Sequence, residues 1–195
     1  MLRTLQKLNI KRCHMNDVER QGVIGEGGSF VVERYVYAGN LVAVKHLKMG
    51  ESGSDGKKLG SRLANLLLDL QIMHHKPLQS HPNILNLIGY GWNTQDNNLV
   101  PFVMVDYASM GNLRAYLRES RELVAFSTKL LFMGDVAAGL MALHKCGIVH
   151  GDLKLDNVLA FQAQDRLIAR LCDFGHSLIT SKDERQHTRY YGTPL

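Results

Sequence analysis

Residues 150–175 read HGDLKLDNVLAFQAQDRLIARLCDFG, and the rest of the chain is interpreted from this stretch. An apolar run leads into an acidic residue, Asp152, with Lys154 two positions later and Asn157 three positions beyond that. A β-type run then ends in the triplet Asp-Phe-Gly at residues 173–175. Asp, Asn and Gly are ordinary turn residues, so one such triplet alone would indicate only a polar turn and a hairpin. Two polar motifs in this order indicate a shared chemical task.

These residue types suit the transfer of a γ-phosphoryl group, which requires positioning and charge neutralisation more than covalent work by the protein. The two motifs resemble those of the eukaryotic protein kinase family. The resemblance implies that Asp152 accepts the substrate hydroxyl proton and that Lys154 steadies the charge on the phosphoryl group. Asn157 and Asp173 would hold Mg²⁺ against the phosphates of ATP, because oxygen ligands suit this hard cation. Lys154 matches the serine/threonine pattern, so a protein Ser or Thr is the expected acceptor.

The bulk composition is that of a globular protein. The chain has 195 residues, of which 45% are hydrophobic and 21% charged, so it is long enough to bury a core and shows no sign of disorder. We find no apolar run of roughly 20 residues that could cross a bilayer and no signal peptide, so we expect a cytoplasmic protein without a membrane partner. The three cysteines show no C-x-x-C spacing, which predicts neither a disulfide framework nor a zinc site.

The positive net charge favours an anionic partner but does not indicate a nucleic acid. The net charge is +5 and the isoelectric point is about 9.2, but the basic residues are scattered and form no stripe interleaved with aromatic residues. We therefore expect no nucleic-acid partner, since ATP is a sufficient anion. The sequence carries no signal for an oligomeric state.

Residues 22–32, GVIGEGGSFVV, place a glycine-rich turn between two β-prone runs. They resemble the kinase hairpin that covers the phosphates, although Phe30 stands where the third glycine of that pattern belongs. Residues 42–45, VAVK, match the next strand of the family, whose lysine pairs with the α and β phosphates, and this assigns Lys45 to ATP and to catalysis. Glycines would let the backbone approach the phosphates closely. The nucleotide-binding positions implied by the resemblance are Ile24, Gly25, Gly27, Val32, Ala43, Lys45, Asp106, Ala108, Leu159 and Asp173.

Residues 49–60 are rich in Gly and Ser and are predicted to form a mobile linker. A helix capped by Ser61 should follow, and Pro77 should end it. Its apolar stripe consists of Leu63, Leu66, Leu67, Leu70 and Met73. In the family this helix carries a glutamate that pairs with the ATP lysine, and Asp69 is the best match here. The side chain of Asp is shorter by about 1.5 Å, so Asp69 either forms a loose pair or is a solvated helix residue.

The HPNI stretch at residues 81–84 resembles the family's junction between this helix and the next strand. Apolar runs at residues 85–91 and 99–105 predict buried strands joined by a polar turn at 93–98. In the family's register, Val105 is the residue at the back of the nucleotide pocket. Asp106, Tyr107 and Ala108 then form the hinge whose backbone binds adenine. The assignment rests on the register with Gly111, which opens the next helix.

A longer helix is predicted over residues 127–145, capped by Ser127 and followed by Gly147 in the role of a C-terminal cap. Its predicted apolar face consists of Leu130, Met133, Ala137, Leu140, Met141 and His144, widened by Val136 and Leu143. We expect this helix to hold the catalytic loop. A hairpin formed by residues 158–161 and 167–173 would then deliver Asp173.

The resemblance implies an α+β, two-lobed kinase fold with ATP between the lobes. Residues 1–20 would be an extension, residues 21–107 the β-rich N-terminal lobe and hinge, and residues 108–195 an incomplete helical C-terminal lobe. The similarity covers about residues 23–193, and the HPNI and HGDLK stretches are also similar to fungal kinase-like proteins. Residues 176–195 resemble an activation segment that stops before the A-P-E motif, so we expect a truncated and impaired kinase.

Gly151 stands where many kinases carry an arginine beside the catalytic aspartate. That arginine pairs with a phosphorylated activation segment and orders it. Because glycine offers no donor side chain, phosphorylation of Ser181, Thr188 or Tyr190 is not expected to be the main activating switch.

Two other functions remain open from the sequence. A nucleotide-binding pseudokinase or scaffold without catalysis would account for Phe30 and Asp69, and an incomplete gene product would have no activity of its own. The kinase interpretation is favoured because the chain retains all four polar groups that the chemistry needs, namely Lys45, Asp152, Asn157 and Asp173.

Overall fold

The computed structural model describes residues 9–48, 56–95, 98–120 and 124–180. The chain divides into two compact units, one comprising residues 1–74 and 86–107 and the other residues 75–85 and 108–195. A large sheet forms most of the first unit, and the second contains three helices and two small sheets. The expected α+β architecture is therefore confirmed. Residues 75–85 belong to the second unit, although the sequence placed them with the first.

The first unit is built on a five-stranded antiparallel sheet with the strand order β1, β2, β3, β5, β4. Its strands are β1 (Val18–Glu26), β2 (Phe30–Tyr37), β3 (Asn40–Leu47), β4 (Leu87–Gln95) and β5 (Asn98–Asp106). A tight hairpin turn joins β2 to β3, and its residues Ala38 and Gly39 both have positive φ angles. The turn between β4 and β5 is shorter than predicted, because β4 continues to Gln95 and only residues 96 and 97, outside the described residues, separate the strands.

One face of this sheet packs in an apolar cluster, and the other face carries Lys45. One face carries the apolar cluster of Cys13, Tyr35, Val42, Val44, Phe102 and Met104. The strand register pairs Val32 with Lys45, and side chains alternate between the faces of a strand. Val32, Ala43 and Lys45 therefore lie on the opposite face from that cluster, so the lysine side chain lies outside the apolar core.

Residues 11–13, in a segment whose role the sequence did not predict, lie along the edge strand β4. The N–H of Cys13 donates to the carbonyl of Tyr90 at 2.8 Å, and the N–H of Tyr90 donates to the carbonyl of Lys11 at 3.0 Å. Gly89 permits this approach, because a Cβ there would lie only 2.6 Å from the Lys11 oxygen. The segment thus covers backbone groups that an edge strand would otherwise expose.

Helix α1 (Gly56–His74) begins earlier than predicted, before Ser61, so residues 56–60 are helical and not part of a linker. Residues 49–55 of the predicted linker lie outside the described residues. Burial of Leu66, Leu70 and Met73 confirms the apolar stripe. The helix ends at His74, and Pro77 lies in the first turn of a second short helix, α2 (Lys76–Gln79), where proline costs no hydrogen bond.

In the second unit, the HGDLK motif follows β6 and the Asp-Phe-Gly motif follows β8. The helices and strands described after residue 108 are α3 (Leu113–Glu119), α4 (Phe126–Lys145), β6 (Ile148–Val149), β7 (Val158–Gln162), β8 (Leu167–Leu171) and β9 (Leu178–Ile179). β7 pairs with β8 and β6 with β9, both antiparallel. The predicted hairpin is confirmed, and Asp173 lies two residues past its end. The predicted helix start after Gly111 is also confirmed, with Asn112 as the side-chain cap.

The predicted apolar face of α4 is wrong at Leu130, Met133 and Met141, which are exposed, and is confirmed at Leu143, which is buried. The helix also buries Phe132, Asp135 and Gly139. Gly139 sets the orientation, because a Cβ there would lie 2.9 Å from both the Asn83 carbonyl oxygen and the Leu171 side chain. Ser127 does not cap the helix, which begins after Ala125 without a side-chain cap.

Among the residues that the structure describes, α4 is the one helix that is long and apolar enough to cross a membrane, which corrects the expectation that the sequence contains no such stretch. It is a weak indication of a membrane span, because a core helix of a soluble protein meets the same two criteria.

Candidate active site

The ammonium group of Lys45 contacts two side chains of the first unit. Oδ2 of Asp69, in α1, lies 3.3 Å from Nζ, and the ring centroid of Phe30 lies 4.3 Å from it. Asp69 is 4% exposed, so the alternative of a solvated helix residue is wrong. The separation exceeds the roughly 2.7–2.9 Å typical of a charge-assisted hydrogen bond, which agrees with the loose pair expected for the shorter aspartate.

The glycine-rich turn connects β1 to β2 and is closed by the N–H of Gly27, which donates to the carbonyl of Phe30 at 2.9 Å. Gly28 has open space around it, and a Cβ at Gly25 or Gly27 would make only ordinary contacts of 3.9 and 4.0 Å. Packing within the chain therefore does not require these glycines. Glycine has no Cβ atom, so the backbone at these three positions can come close to a bound anion.

The other predicted nucleotide positions of the first unit follow from the strand register. Val32 lies opposite both Gly25 and Lys45, and Ala43 is two residues before Lys45 on the same face of β3. Ile24 is exposed. Gly25, Val32 and Ala43 therefore lie on the same side of the sheet as Lys45.

At the end of β5, Asp106 is tied to Asn86. The N–H of Asp106 donates to the Asn86 carbonyl at 3.2 Å, and its Oδ1 accepts from Asn86 Nδ2 at 3.1 Å. Val105, the predicted residue behind the nucleotide, is buried. The first unit ends at Tyr107, and Ala108 is the next residue and belongs to the second unit. The N–H of Asp106 is thus already used within the protein.

The catalytic-loop residues form a short-range network in the second unit. Oδ2 of Asp152 accepts hydrogen bonds from Lys154 Nζ at 2.8 Å and from Asn157 Nδ2 at 3.0 Å. Asn157 Nδ2 also donates to the Asp152 carbonyl at 2.8 Å. A single 3-10 turn over Leu155–Asn157 folds the amide back onto the aspartate. The carboxylate of Asp152, 6% exposed, is therefore held in one orientation beside a cation.

His150 connects this network to the Asp-Phe-Gly triplet. Its Nε2 lies 3.1 Å from the Cys172 carbonyl, and its Nδ1 accepts from the N–H of Asp152 at 3.4 Å. These contacts suit a neutral ring that carries its proton on Nε2. Burial lowers the pKa of His150 below its ordinary value. The imidazole thus links the catalytic loop to the residue before Asp173 through its two hydrogen bonds.

Asp173 follows β8 with a φ of +63°, a left-handed conformation that is uncommon for a residue with a side chain. Phe174 is fully buried, and its ring centroid lies 5.3 Å from that of His150. The N–H of Cys172 donates to the carbonyl of Asn157 at 3.0 Å. Backbone bonds and aromatic packing thus fix the two motifs to each other.

The arrangement of these motifs has a counterpart in known proteins. A family model described as the protein kinase domain matches residues 18–195. This chain belongs to the protein kinase family. The match includes both the lysine strand of the first unit and the Asp152 network of the second.

Similar proteins are serine/threonine kinases of much greater length. NUAK family SNF1-like kinase 1 of Homo sapiens is 30% identical over 179 residues, covering 91% of this kinase chain and 24% of that protein. Serine/threonine-protein kinase PLK4 of Nematostella vectensis is 29% identical over 182 residues, covering 92% and 17% respectively. Probable serine/threonine-protein kinase gdt8 of Dictyostelium discoideum is 32% identical over 148 residues, covering 73% and 10%. The chain spans at most about a quarter of these proteins.

Two residues that position the kinase motifs were missed from the sequence. Asp135 of α4 accepts the N–H of Ala169 at 2.9 Å and the guanidinium of Arg166 at 3.2 Å, which fastens the β7–β8 hairpin to the helix. Asn83 donates to the Ala169 carbonyl at 3.0 Å and accepts the N–H of Leu171 at 2.9 Å. Asp135 interrupts an apolar helix, and that interruption was the available signal.

Proposed function

We propose that this kinase transfers the γ-phosphoryl group of Mg-ATP to a Ser or Thr hydroxyl of a protein substrate. The observation that carries the proposal is the network in which Lys154 and Asn157 both bind the carboxylate of Asp152 within 3.0 Å. A base for the substrate hydroxyl needs a fixed orientation and a nearby positive charge, because phosphoryl transfer depends on positioning and charge neutralisation.

In this proposal, Asp152 accepts the proton of the acceptor hydroxyl and Lys154 offsets negative charge on the transferred group. Its place two residues after the aspartate supports Ser or Thr as the acceptor, as do the relatives, which are Ser/Thr kinases by name. Lys45 would bind the ATP phosphates, helped by the backbone of the glycine-rich turn. ATP supplies the electrophilic phosphorus, and the protein residues orient the two reactants.

Asn157 and Asp173 fit a magnesium site by their chemistry. Both hydrogen bonds of the Asn157 side chain use Nδ2, so neither occupies Oδ1, the atom that a hard cation would take. Within the described part of the chain, no group of three His, Cys, Asp or Glu side chains could hold a metal ion. A two-residue set agrees with Mg²⁺, which is commonly bound by one or two protein ligands together with phosphate oxygens and water.

A nucleotide-binding protein without catalysis is the competing function. The observation that favours it is the Phe30 ring, which lies against the Lys45 ammonium where the family has a glycine. The cation–π contact, worth about 0.5–2 kcal/mol, would have to be given up or shared when Lys45 turns to a phosphate.

The test follows labelled phosphate from ATP to a generic Ser/Thr peptide and to a Tyr peptide, in the longest product of the gene that can be expressed. Asp152→Asn should lower transfer to the Ser/Thr peptide by at least about a hundredfold, since it removes the base and leaves the shape. Asp156→Asn is the matched control, because Asp156 is an exposed carboxylate of the same loop that binds Arg114 at 2.8 Å. Equal rates for wild type and Asp152→Asn would refute the proposal, and ATP binding without any transfer would support the competing function.

A further inference from the structure

The backbone that follows the Asp-Phe-Gly triplet is fastened to the catalytic loop. Ser177 donates its hydroxyl to the carbonyl of His150 at 2.9 Å. Three residues later, both the N–H and the hydroxyl of Thr180 donate to the carbonyl of Gly147, at 2.8 and 2.9 Å. Between these points, β9 pairs with β6. Residues 175–180 are thus held along the strand that leads into His150.

Gly151 is part of the same contact. It has a φ of +80°, and a Cβ at this position would overlap the carbonyl oxygen of His176. Only glycine satisfies both conditions, because a side chain would be strained by the backbone and would displace the segment. The backbone of His176 therefore occupies the place where a residue 151 side chain would begin.

Asp173 needs support from its surroundings, because its positive φ is unfavourable for a residue with a side chain. Such conformations persist where neighbouring structure determines them. Ser177 makes two hydrogen bonds that support this conformation, one to the residue after Asp173 and one to the catalytic loop. Its N–H donates to the carbonyl of Phe174 at 3.0 Å, and its hydroxyl reaches the carbonyl of His150.

The side chain of Ser177 is buried, and its hydroxyl joins the two motifs that hold the catalytic groups. We propose that Ser177 is a positioning residue that holds Asp173 in the backbone conformation that binds Mg²⁺, in place of a contact to a phosphorylated activation segment. The inference rests on the proposed magnesium role of Asp173. Ser181, Thr188 and Tyr190, the candidate phosphorylation sites, lie outside the described residues.

The test measures the dissociation constant of ATP for the full chain in a chelator and in Mg²⁺. The ratio of the constant in the chelator to the constant in Mg²⁺ gives the magnesium-dependent part of binding. Ser177→Ala should reduce that ratio about fivefold, the typical worth of one hydrogen bond, and leave binding in the chelator unchanged. Ser120→Ala is the matched control, because it removes a hydroxyl bond to the Tyr116 carbonyl in the same unit, away from the loop. It should leave the ratio unchanged.

A second pair guards against loss of folding in Ser177→Ala. Ser177→Thr and Ser177→Val have nearly the same shape and differ in the hydroxyl, so the Thr variant should show a ratio about fivefold higher than the Val variant. Equal ratios in the Thr and Val variants would overturn the inference. A second result would also overturn the inference: Ser177→Ala weakens ATP binding by the same factor with and without Mg²⁺. That result is expected if Ser177 has a purely structural role.

The Asp173→Ala variant separates this inference from the proposed function. If Asp173→Ala keeps the magnesium dependence of the wild type, the proposed magnesium site fails. If Asp173→Ala loses that dependence while Ser177→Ala retains it, the magnesium site stands and the role of Ser177 is rejected.

Discussion

In the first unit, the ammonium of Lys45 lies 3.3 Å from Asp69, whereas in the second unit the carboxylate of Asp152 accepts hydrogen bonds of 2.8 and 3.0 Å. Lys45 and Asp69 are 24 residues apart and meet only when α1 is placed beside β3. The Asp152 network is complete within six consecutive residues. The looser contact is thus the one that depends on tertiary placement.

Two departures from the family pattern lie at the lysine pair of the first unit, and one lies in the catalytic loop of the second. Phe30 and Asp69 both lie in the first unit and both contact Lys45. In the second unit, Gly151 differs from the common pattern, and the backbone of His176 fills the space that results. We infer that the loop geometry is held more strictly than the lysine pair, and that changes at the pair are tolerated better.

The largest effect is expected from the exposed face of α4. Phe126 and Met133, which are 74% and 65% exposed, belong to an apolar surface that promotes association. Replacing both with serine should lower the association constant of the chain at least about a hundredfold, since covering each such side chain is worth about 1.5–3 kcal/mol. Sedimentation of the wild type and of the double variant provides the check. An unchanged monomer fraction would contradict this.

A smaller effect is expected at the lysine pair. Asp69→Ala should weaken Mg-ATP binding about tenfold, the lower range for a hydrogen bond to a charged group, because Lys45 keeps its contact with Phe30. Asp69→Asn is the matched variant that keeps the shape and removes the charge. Asp69→Glu should bind at least as well as the wild type, since the longer side chain can close the 3.3 Å gap. Calorimetry of the three variants measures this, and a tighter complex in Asp69→Ala than in the wild type would reverse the assignment.

The smallest effect concerns pH and one buried histidine in each unit. Burial lowers the pKa of both His46 and His150 below the ordinary value of 6.5. The unfolded chain therefore binds more protons at acidic pH, so the stability that these neutral rings provide is present above pH 6.5 and is lost as the pH falls below it. The loss is at most about 1.4 kcal/mol per pH unit for each histidine.

Both histidines should contribute. The carboxylate of Glu33 lies 3.3 Å from His46 and favours its charged form, and the Cys172 carbonyl does the same for His150, so that both contacts oppose the effect of burial. We therefore expect His46→Gln and His150→Gln each to reduce the acid sensitivity of urea unfolding. His144→Gln, at an exposed position, is the matched control. An unfolding free energy that does not change between pH 7.5 and 5.5 would contradict this interpretation.

The sequence predicted local features well where neighbouring residues determine them. The start of the helix after Gly111 and the β7–β8 hairpin both depend on residues close in the chain. The inward face of α4 could not be predicted in the same way, because this helix is apolar on several sides. Its orientation depends on Gly139 and Asp135, whose partners belong to β8 and to the HPNI junction.

Other features could not be predicted because they depend on residues far apart in the chain or on conflicting local signals. The start of α1 was placed too late because the glycines and serine of residues 49–60 outweighed the helix formers among them. The strand-like contact of Lys11 and Cys13 with β4 has no local pattern, since it requires Gly89 on another strand to leave space. Ser177 resembles an ordinary turn serine, and its role depends on the carbonyl of His150, 27 residues earlier.

The most direct test of the account is the magnesium dependence of ATP binding in the wild type, Asp173→Ala and Asp69→Ala, measured by calorimetry on the 195-residue chain. Asp173 is proposed as a metal ligand held in a left-handed conformation beside the Asp152 network, and Asp69 only as the partner of Lys45. We predict that Asp173→Ala abolishes the gain in affinity caused by Mg²⁺, while Asp69→Ala weakens binding and keeps that gain. Equal magnesium-dependent binding by the wild type and Asp173→Ala would contradict the account.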